Sequence, residues 1–289
     1  MEHFDVFSYT KDDLRRMPPR TPNSHKGTYG RVVLICGSEG MAGAAYLCAK
    51  AAYRTGAGLV EIVTPEANRT ILQTLLPEAV LTMYDDSPEG LRAVRRAIER
   101  ADALGIGCGL GLSERSLTVL TLALTLSHVP TVLDADALNL LAKHDDLLPL
   151  LAGKTITPHP TEMSRLTGMS VGDILADTTS VAHDFAARHG CVCVLKTHKT
   201  VVSDGSARIY QNQSGNSGMA TAGSGDVLCG ILCGILAQKK SDPTPLETAA
   251  LAVYLHGLCG DEAAKNLGEY SLMASDIIDA LPAVLRQFV

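Results

Sequence analysis

The sequence lacks what an exported or membrane-bound chain needs. Its opening residues, MEHFDVFSYTKDDLRRM, have neither the positive n-region nor the apolar h-region of a signal peptide. The two most apolar stretches, Leu117 to Leu126 and Val227 to Ala237, fall well short of the roughly 20 residues a helix needs to cross a bilayer. A cytoplasmic protein with no membrane partner is expected. Clustered positive charge is also missing: the formal net charge is -6 and the sequence pI is near 5.8, whereas affinity for a phosphate backbone depends on grouped Lys and Arg. Nucleic acid is therefore excluded as an expected partner. Arg92, Arg95, Arg96 and Arg100 recur at helical spacing and read as a solvated helix face rather than a phosphate-binding one. None of the eight cysteines forms a C-x-x-C pair, and most sit in apolar runs (Cys36, Cys48, Cys191, Cys193, Cys229, Cys233). In a chain of 289 residues that pattern reads as buried reduced thiols, not a disulfide framework. His256 and Cys259 are the one His and Cys at close helical spacing, and no second pair accompanies them to make a zinc site. No repeat and no low-complexity tract is present.

What is there is a strand-then-helix rhythm. Short β-rich runs at Val32 to Cys36, Leu59 to Val63, Ala103 to Ile106, Thr131 to Asp134, Thr155 to Thr157 and Cys191 to Leu195 alternate with segments of helical period. That alternation predicts a mostly parallel sheet covered by helices on both faces, a three-layer α/β/α sandwich, with residues 1–289 as a single domain. The rhythm breaks at Thr200 to Tyr210, where TVVS and ARIY flank Asp204-Gly205, a dipeptide suited to a tight turn. An antiparallel hairpin near the sheet edge is expected there. Helices follow over Ala222 to Gln238, Pro245 to Asn266 and Ser271 to Phe288.

The segment Asn212 to Gly234, NQSGNSGMATAGSGDVLCGILCG, carries the most chemistry. A Gly- and Ser-rich loop running into a helix lets backbone N–H groups approach an anion, and the helix end adds positive partial charge. Asp226 falls in the first turn of that helix, where the dipole favours its ionised form, able to accept a proton from a substrate hydroxyl. The plainer reading of Asp226 is a helix cap.

GSGD at Gly223 to Asp226, with GNSGMAT before it and Gly230 and Gly234 after it, resembles the anion-hole and catalytic-base motif of the ribokinase-like superfamily. SHKGTYGRVVLICGS (Ser24 to Ser38), GMAGAA (Gly40 to Ala45), LDADALNLL (Leu133 to Leu141) and TPHPTEMSRLTG (Thr157 to Gly168) narrow the resemblance to the NAD(P)H-hydrate dehydratases. It runs from about Ser24 to the final helix, and a stand-alone form, without the epimerase domain fused in many relatives, is expected. The resemblance implies dehydration of (6S)-NADHX or (6S)-NADPHX back to NADH or NADPH, driven by ADP in typical bacterial members or ATP in eukaryotic ones. It also implies Mg²⁺, a homotetramer and a functional link to a separate epimerase. Met41 and the apolar faces of the last helices are candidates for the subunit interface.

By the same resemblance Asp226 is the base at the C6 hydroxyl, and Gly225 presents backbone to the nucleotide phosphates. Lys196, Thr197, His198, Lys199 and Thr200 (KTHKT) lie around the adenine nucleotide, although Lys196 also suits a solvated strand end. Ala44, Gly109 and His159 join Asp226 against the hydrated nicotinamide nucleotide, the plainer reading of Gly109 being a turn after its strand. Glu162, three residues past His159, either reaches Mg²⁺ or caps the helix. The chain departs from the family pattern at Cys108, where proline is frequent, at Ser224, where threonine is frequent, and at Thr197, where glycine often stands. Three other readings compete. A vitamin or sugar kinase of the same superfamily is disfavoured by TPHPTE and SHKGTYG. A dinucleotide-fold dehydrogenase is disfavoured because GSEGMAG and GCGLG miss the G-x-G-x-x-G spacing. A non-catalytic nucleotide-binding regulator is disfavoured by the retention of Asp226.

Overall fold

Side chains along the central strands alternate between two apolar layers, the period-2 pattern of a sheet buried on both faces. Val32, Leu34 and Cys36 point into one layer, Val33 and Ile35 into the other. The structure, a computed structural model, describes residues 4–238 and 244–287. Its strands are β1 (Asp5–Phe7), β2 (Arg31–Ile35), β3 (Leu59–Pro65), β4 (Val80–Tyr84), β5 (Ala103–Ile106), β6 (Thr131–Leu133), β7 (Thr155–Ile156), β8 (Val192–Leu195), β9 (Val201–Ser203) and β10 (Arg208–Gln211). They form one sheet in the order β1-β10-β9-β8-β7-β6-β5-β2-β3-β4. From β8 across to β4 every pairing is parallel. The expected hairpin is β9 with β10; β9 is antiparallel to both neighbours, and β1 runs parallel along the outside of β10.

One face is covered by α1 (Ala42–Arg54), α2 (Arg69–Leu75), α9 (Ser224–Gln238), α10 (Pro245–Leu267) and α11 (Ala274–Leu285). The other is covered by α3 (Pro88–Glu99), α4 (Glu114–Leu126), α5 (Asp136–Leu141), α6 (Pro160–Thr167), α7 (Val171–Ala176) and α8 (Thr178–His189). The α/β/α sandwich is the architecture expected from the sequence. Every expected strand and helix forms, with ends shifted by a few residues. Phe288, the expected end of the last helix, lies outside the described residues. Strands β1 and β4 were not expected; each lies at an edge, and β1 is only three residues long in a polar stretch.

Helix α9 is apolar all round because it is enclosed all round, between the sheet and helices α1, α10 and α11. Gly230 allows this: a Cβ there would lie 2.1 Å from the Cys48 carbonyl oxygen of α1, so only glycine permits this approach of the two helices. On the opposite side of the molecule, the arginine face behaves in two ways. Arg92 and Arg96 pair with Glu89 on the surface, as a solvated face should. Arg100 does not; with Arg31 it holds the fully buried carboxylate of Glu61.

Candidate active site

Strand β2 has β5 on one side and β3 on the other, so the chain reverses its direction of winding there. In an open parallel sheet the crevice at the carboxyl end of such a switch point is where ligands bind. Three of the expected strands end one residue earlier than the sequence suggested, and the residues released, Cys36, Asp134 and Thr157, enter the loops at this edge. The loop after β5 brings Gly109 against the start of α1. Gly109 has φ +60°, and a Cβ on it would stand 2.9 Å from that of Ala44. The two are thus direct neighbours, and the glycine is required by its turn as well as by close packing.

Asp134 organises the centre of the site. It is 1% exposed; its Oδ1 accepts hydrogen bonds from Lys196 Nζ at 2.6 Å and Thr157 Oγ1 at 2.7 Å. Its Oδ2 faces the Cys108 thiol at 3.8 Å. Burial alone would push the Asp134 carboxyl up, but the Lys196 ammonium and the hydrogen bonds hold it below the usual range. Burial likewise opposes the charge on Lys196, and Asp134 with Glu162 more than restores it. Lys196 is therefore no solvated strand-end lysine, its alternative reading. The backbone that aims Asp134 is strained: Ala135, with φ 48° and ψ −115°, is the one non-glycine residue at positive φ among the described residues. Such a conformation costs about 1–3 kcal/mol and persists only where surrounding contacts enforce it.

Asp226 lies above this pair in the first turn of α9. Its carboxylate, that of Asp134 and the Cys108 thiol lie within 4.8 Å of one another. Burial, then the negative charge of Asp134, push the Asp226 carboxyl up to about 7. The helix dipole, expected to keep it ionised, is outweighed by the loss of water and by a like charge. The result is a carboxyl group that exchanges its proton near neutral pH. Gly225 borders the same space: a Cβ there would lie 3.3 Å from Lys196 Nζ and 3.7 Å from Asp134 Oδ2, so any larger side chain would crowd the ion pair. His256, from α10, places its Nε2 3.3 Å from Ser224 Oγ and buttresses the GSGD turn. Burial keeps that ring neutral, its pKa pushed down to about 4.

His159 and Glu162 form a reciprocal cap at the start of α6. His159 Nδ1 accepts from the N–H groups of Thr161 and Glu162, while the His159 N–H donates to Glu162 Oε2 at 2.8 Å. The capping reading of Glu162 thus holds, and its carboxyl also lies 3.9 Å from Lys196. Burial pushes it up to about 7, only partly offset by Lys196. Burial and the Lys196 charge keep His159 neutral. Thr197, His198, Lys199 and Thr200 make the turn from β8 into β9, closed by Thr200 Oγ1 donating to the Thr197 carbonyl at 3.1 Å. His198 and Lys199 are exposed. Thr197 keeps negative φ, so the turn does not need a glycine there.

Ala44, Gly109, His159, Lys196, Gly225 and Asp226 therefore share one edge of the sheet. The sequence pointed to no role at this site for Asp134, Thr157, Cys108 or His256. Asp134 carried a readable signal, an acidic residue directly after an apolar strand and before a helix; the others become visible only when the chain is folded.

Residues 32–283 match the family model of the NAD(P)H-hydrate dehydratases. The bifunctional NAD(P)H-hydrate repair enzyme of Moorella thermoacetica is 40% identical over 278 residues, covering 94% of this chain and 52% of that protein. The chain spans about half the length of such bifunctional relatives. An ADP-dependent (S)-NAD(P)H-hydrate dehydratase from Neisseria meningitidis is 39% identical over 298 residues, with 96% of each chain covered. Among solved structures, the ADP/ATP-dependent NAD(P)H-hydrate dehydratase of Bacillus subtilis, co-crystallised with ATP and Mg²⁺, is similar with TM-score 0.84, 31% identity and 99% coverage of both chains. With most of the chain matched by the family model and its motifs gathered at one sheet edge, the chain belongs to the NAD(P)H-hydrate dehydratase family.

Proposed function

We propose that this chain catalyses the nucleotide-dependent dehydration of (6S)-NADHX and (6S)-NADPHX, with ADP as the phosphoryl donor. The observation that carries the reading is Asp226: a carboxyl group at the first turn of a buried helix, poised near pH 7, beside the Lys196–Asp134 pair. A general base works best with its pKa near the operating pH. Asp226 takes the proton of the C6 hydroxyl, whose oxygen attacks the terminal phosphoryl group of ADP and releases AMP. Phosphate then leaves C6 with the bonding pair and a proton is lost from C5 to solvent, the C5–H electron pair forming the C5=C6 double bond, so ADP and NADHX become AMP, phosphate and NADH. Hydroxide is a poor leaving group and phosphate a good one, which is why a kinase-like site suits a dehydration.

Lys196, fixed by Asp134, supplies a positive charge near the transferring group, and the N–H groups at the start of α9 face the phosphates. Thr197 to Thr200 line the adenine nucleotide, and Ala44, Gly109 and His159 line the nicotinamide side. The buried, under-compensated carboxyl of Glu162 suits a divalent cation carried in with the nucleotide, since a nearby cation returns such a group to its ionised form. Mg²⁺ held there would neutralise phosphate charge. A homotetramer and a separate epimerase belong to the same proposal.

The test is recovery of reduced-nicotinamide absorbance from purified (6S)-NADHX with Mg²⁺ and ADP, ATP or neither. Recovery with ADP is expected. Recovery with ATP alone overturns the donor, and no recovery by folded protein overturns the reaction in favour of a small-molecule kinase.

A further inference from the structure

Three thiols far apart in sequence meet directly beneath the carboxylates of Asp134 and Asp226. The Sγ atoms of Cys36, Cys48 and Cys108 all lie within 4.8 Å of one another, and each residue is 0% exposed. They come from separate elements: the end of β2, the middle of α1 and the loop after β5. Cys229 of α9 lies near Cys48 and Cys108 but outside this group. The Cys108 thiol belongs as well to the group formed with Asp134 and Asp226. Cys108 is thus a shared wall between a sulfur cluster and the carboxylates.

We propose that Cys36, Cys48 and Cys108 form a binding site for a thiophilic cation of the Zn²⁺, Cd²⁺ or Cu⁺ class, and that filling it inhibits the site above. Metal–sulfur bonds of about 2.3 Å in a tetrahedral arrangement require sulfurs roughly 3.8 Å apart. Thiols already within 4.8 Å of one another reach that spacing by small rotamer adjustments. Thiolates select soft cations, whereas Mg²⁺ requires oxygen ligands and keeps its waters, so this cluster does not compete for the ion that accompanies a nucleotide. The thiols' interactions with neighbouring cysteines, together with burial, hold the cluster in its protonated form, and binding releases those protons to solvent. The ion enters past Asp226, which is partly exposed. A divalent ion that replaces three thiol protons leaves the cluster one unit more negative, and that charge, with Cys108 turned away from the carboxylates towards the metal, opposes the seating of nucleotide phosphates above it.

Metal-free protein is titrated with Cd²⁺ while the sulfur-to-metal charge-transfer absorbance and the Tm are followed. One ion per chain, a charge-transfer band and a raised Tm are expected. Cys36→Ala and Cys48→Ser should each weaken binding at least tenfold, while Cys191→Ser and Cys259→Ser, buried elsewhere, should leave it unchanged. Absence of the band in the wild type, or equal affinity in Cys36→Ala and Cys48→Ser, overturns the site. Cadmium-113 NMR of the wild type guards against misfolded variants: a resonance in the sulfur-rich range supports the site, and one in the oxygen range overturns it.

The inhibition rests on the proposed dehydratase activity. Turnover abolished by one equivalent of Cd²⁺, restored by a chelator and resistant in Cys48→Ser is expected. Undiminished turnover with Cd²⁺ bound refutes the inhibition, whereas no turnover in metal-free protein refutes the activity and leaves the spectroscopic test of the site intact.

Discussion

Replacing Asp226 by asparagine should make the protein more stable at alkaline pH while removing nearly all turnover. In the folded chain the Asp226 carboxyl is pushed from 3.8 up to about 7, first by burial and then by the charge of Asp134. A raised carboxyl pKa means that the folded state keeps a proton which the unfolded state loses between the two values. The stability this provides is fully present below about pH 4 and is lost as pH rises through 7. Three pH units at about 1.4 kcal/mol each set an upper bound on the order of 4 kcal/mol for the ionisation penalty at pH 8. Asparagine has no charge to desolvate and resembles the protonated acid in shape. At about 2 °C per kcal/mol for a chain of this size, Asp226→Asn should raise Tm by several degrees, at most about 8 °C, at pH 8. The gap should shrink to about a third at pH 5 and vanish below pH 4, because the wild type is then also protonated in both states. Thermal unfolding of both proteins from pH 4 to 8.5, without nucleotide, measures it. Glu162 titrates over a similar range in both proteins, so the difference between them is the diagnostic quantity. A variant no more stable than wild type at pH 8, or a gap that does not change with pH, refutes the assignment of Asp226 as a buried, destabilised carboxylate.

Asp134→Asn leaves the Lys196 ammonium buried with only Glu162 beside it, and should destabilise the fold by about 3–5 kcal/mol in denaturant unfolding. In the same variant the acid limb of kcat/KM should move down by on the order of one pH unit, since a like charge within 4.8 Å of Asp226 is gone; an unmoved limb would count against the coupling. Gly230→Ala drives a methyl group into the Cys48 carbonyl and should cost at least about 1–3 kcal/mol, read as a fall in Tm. Ala135→Gly relieves the strained φ and should raise stability by about 1 kcal/mol, despite glycine's larger unfolded-state entropy; a loss of stability would show that the strain is not there.

The layer order of the fold was legible because it rests on local period. β-rich runs of three to five residues buried on both faces, separated by amphipathic helices, admit few arrangements other than a parallel sheet between helical layers. The hairpin was legible from one dipeptide, Asp204-Gly205. Strands β1 and β4 were not, because edge strands need less apolar surface and leave a weaker pattern. Among site residues, Asp226 was legible from its place at a helix start and His159 from its place at the carboxyl end of a strand, while capping was one of two readings of Glu162. Asp134 was passed over although LDAD stood in plain view, and Lys196 had two readings until its partner, 62 positions away, was brought beside it.

By itself the sequence determined the three-layer class, the buried state of the thiols and the placement of Asp226 at the head of an apolar helix, since these depend on composition and short-range pattern. Only the tertiary structure decided that Asp134 charges against Lys196, that the like charge and the loss of water outweigh the helix dipole at Asp226, and that Cys36, Cys48 and Cys108 converge beneath it. Burial and Coulomb interactions act through distance in space, and no spacing along the chain encodes which loops the sheet will bring together at its carboxyl edge.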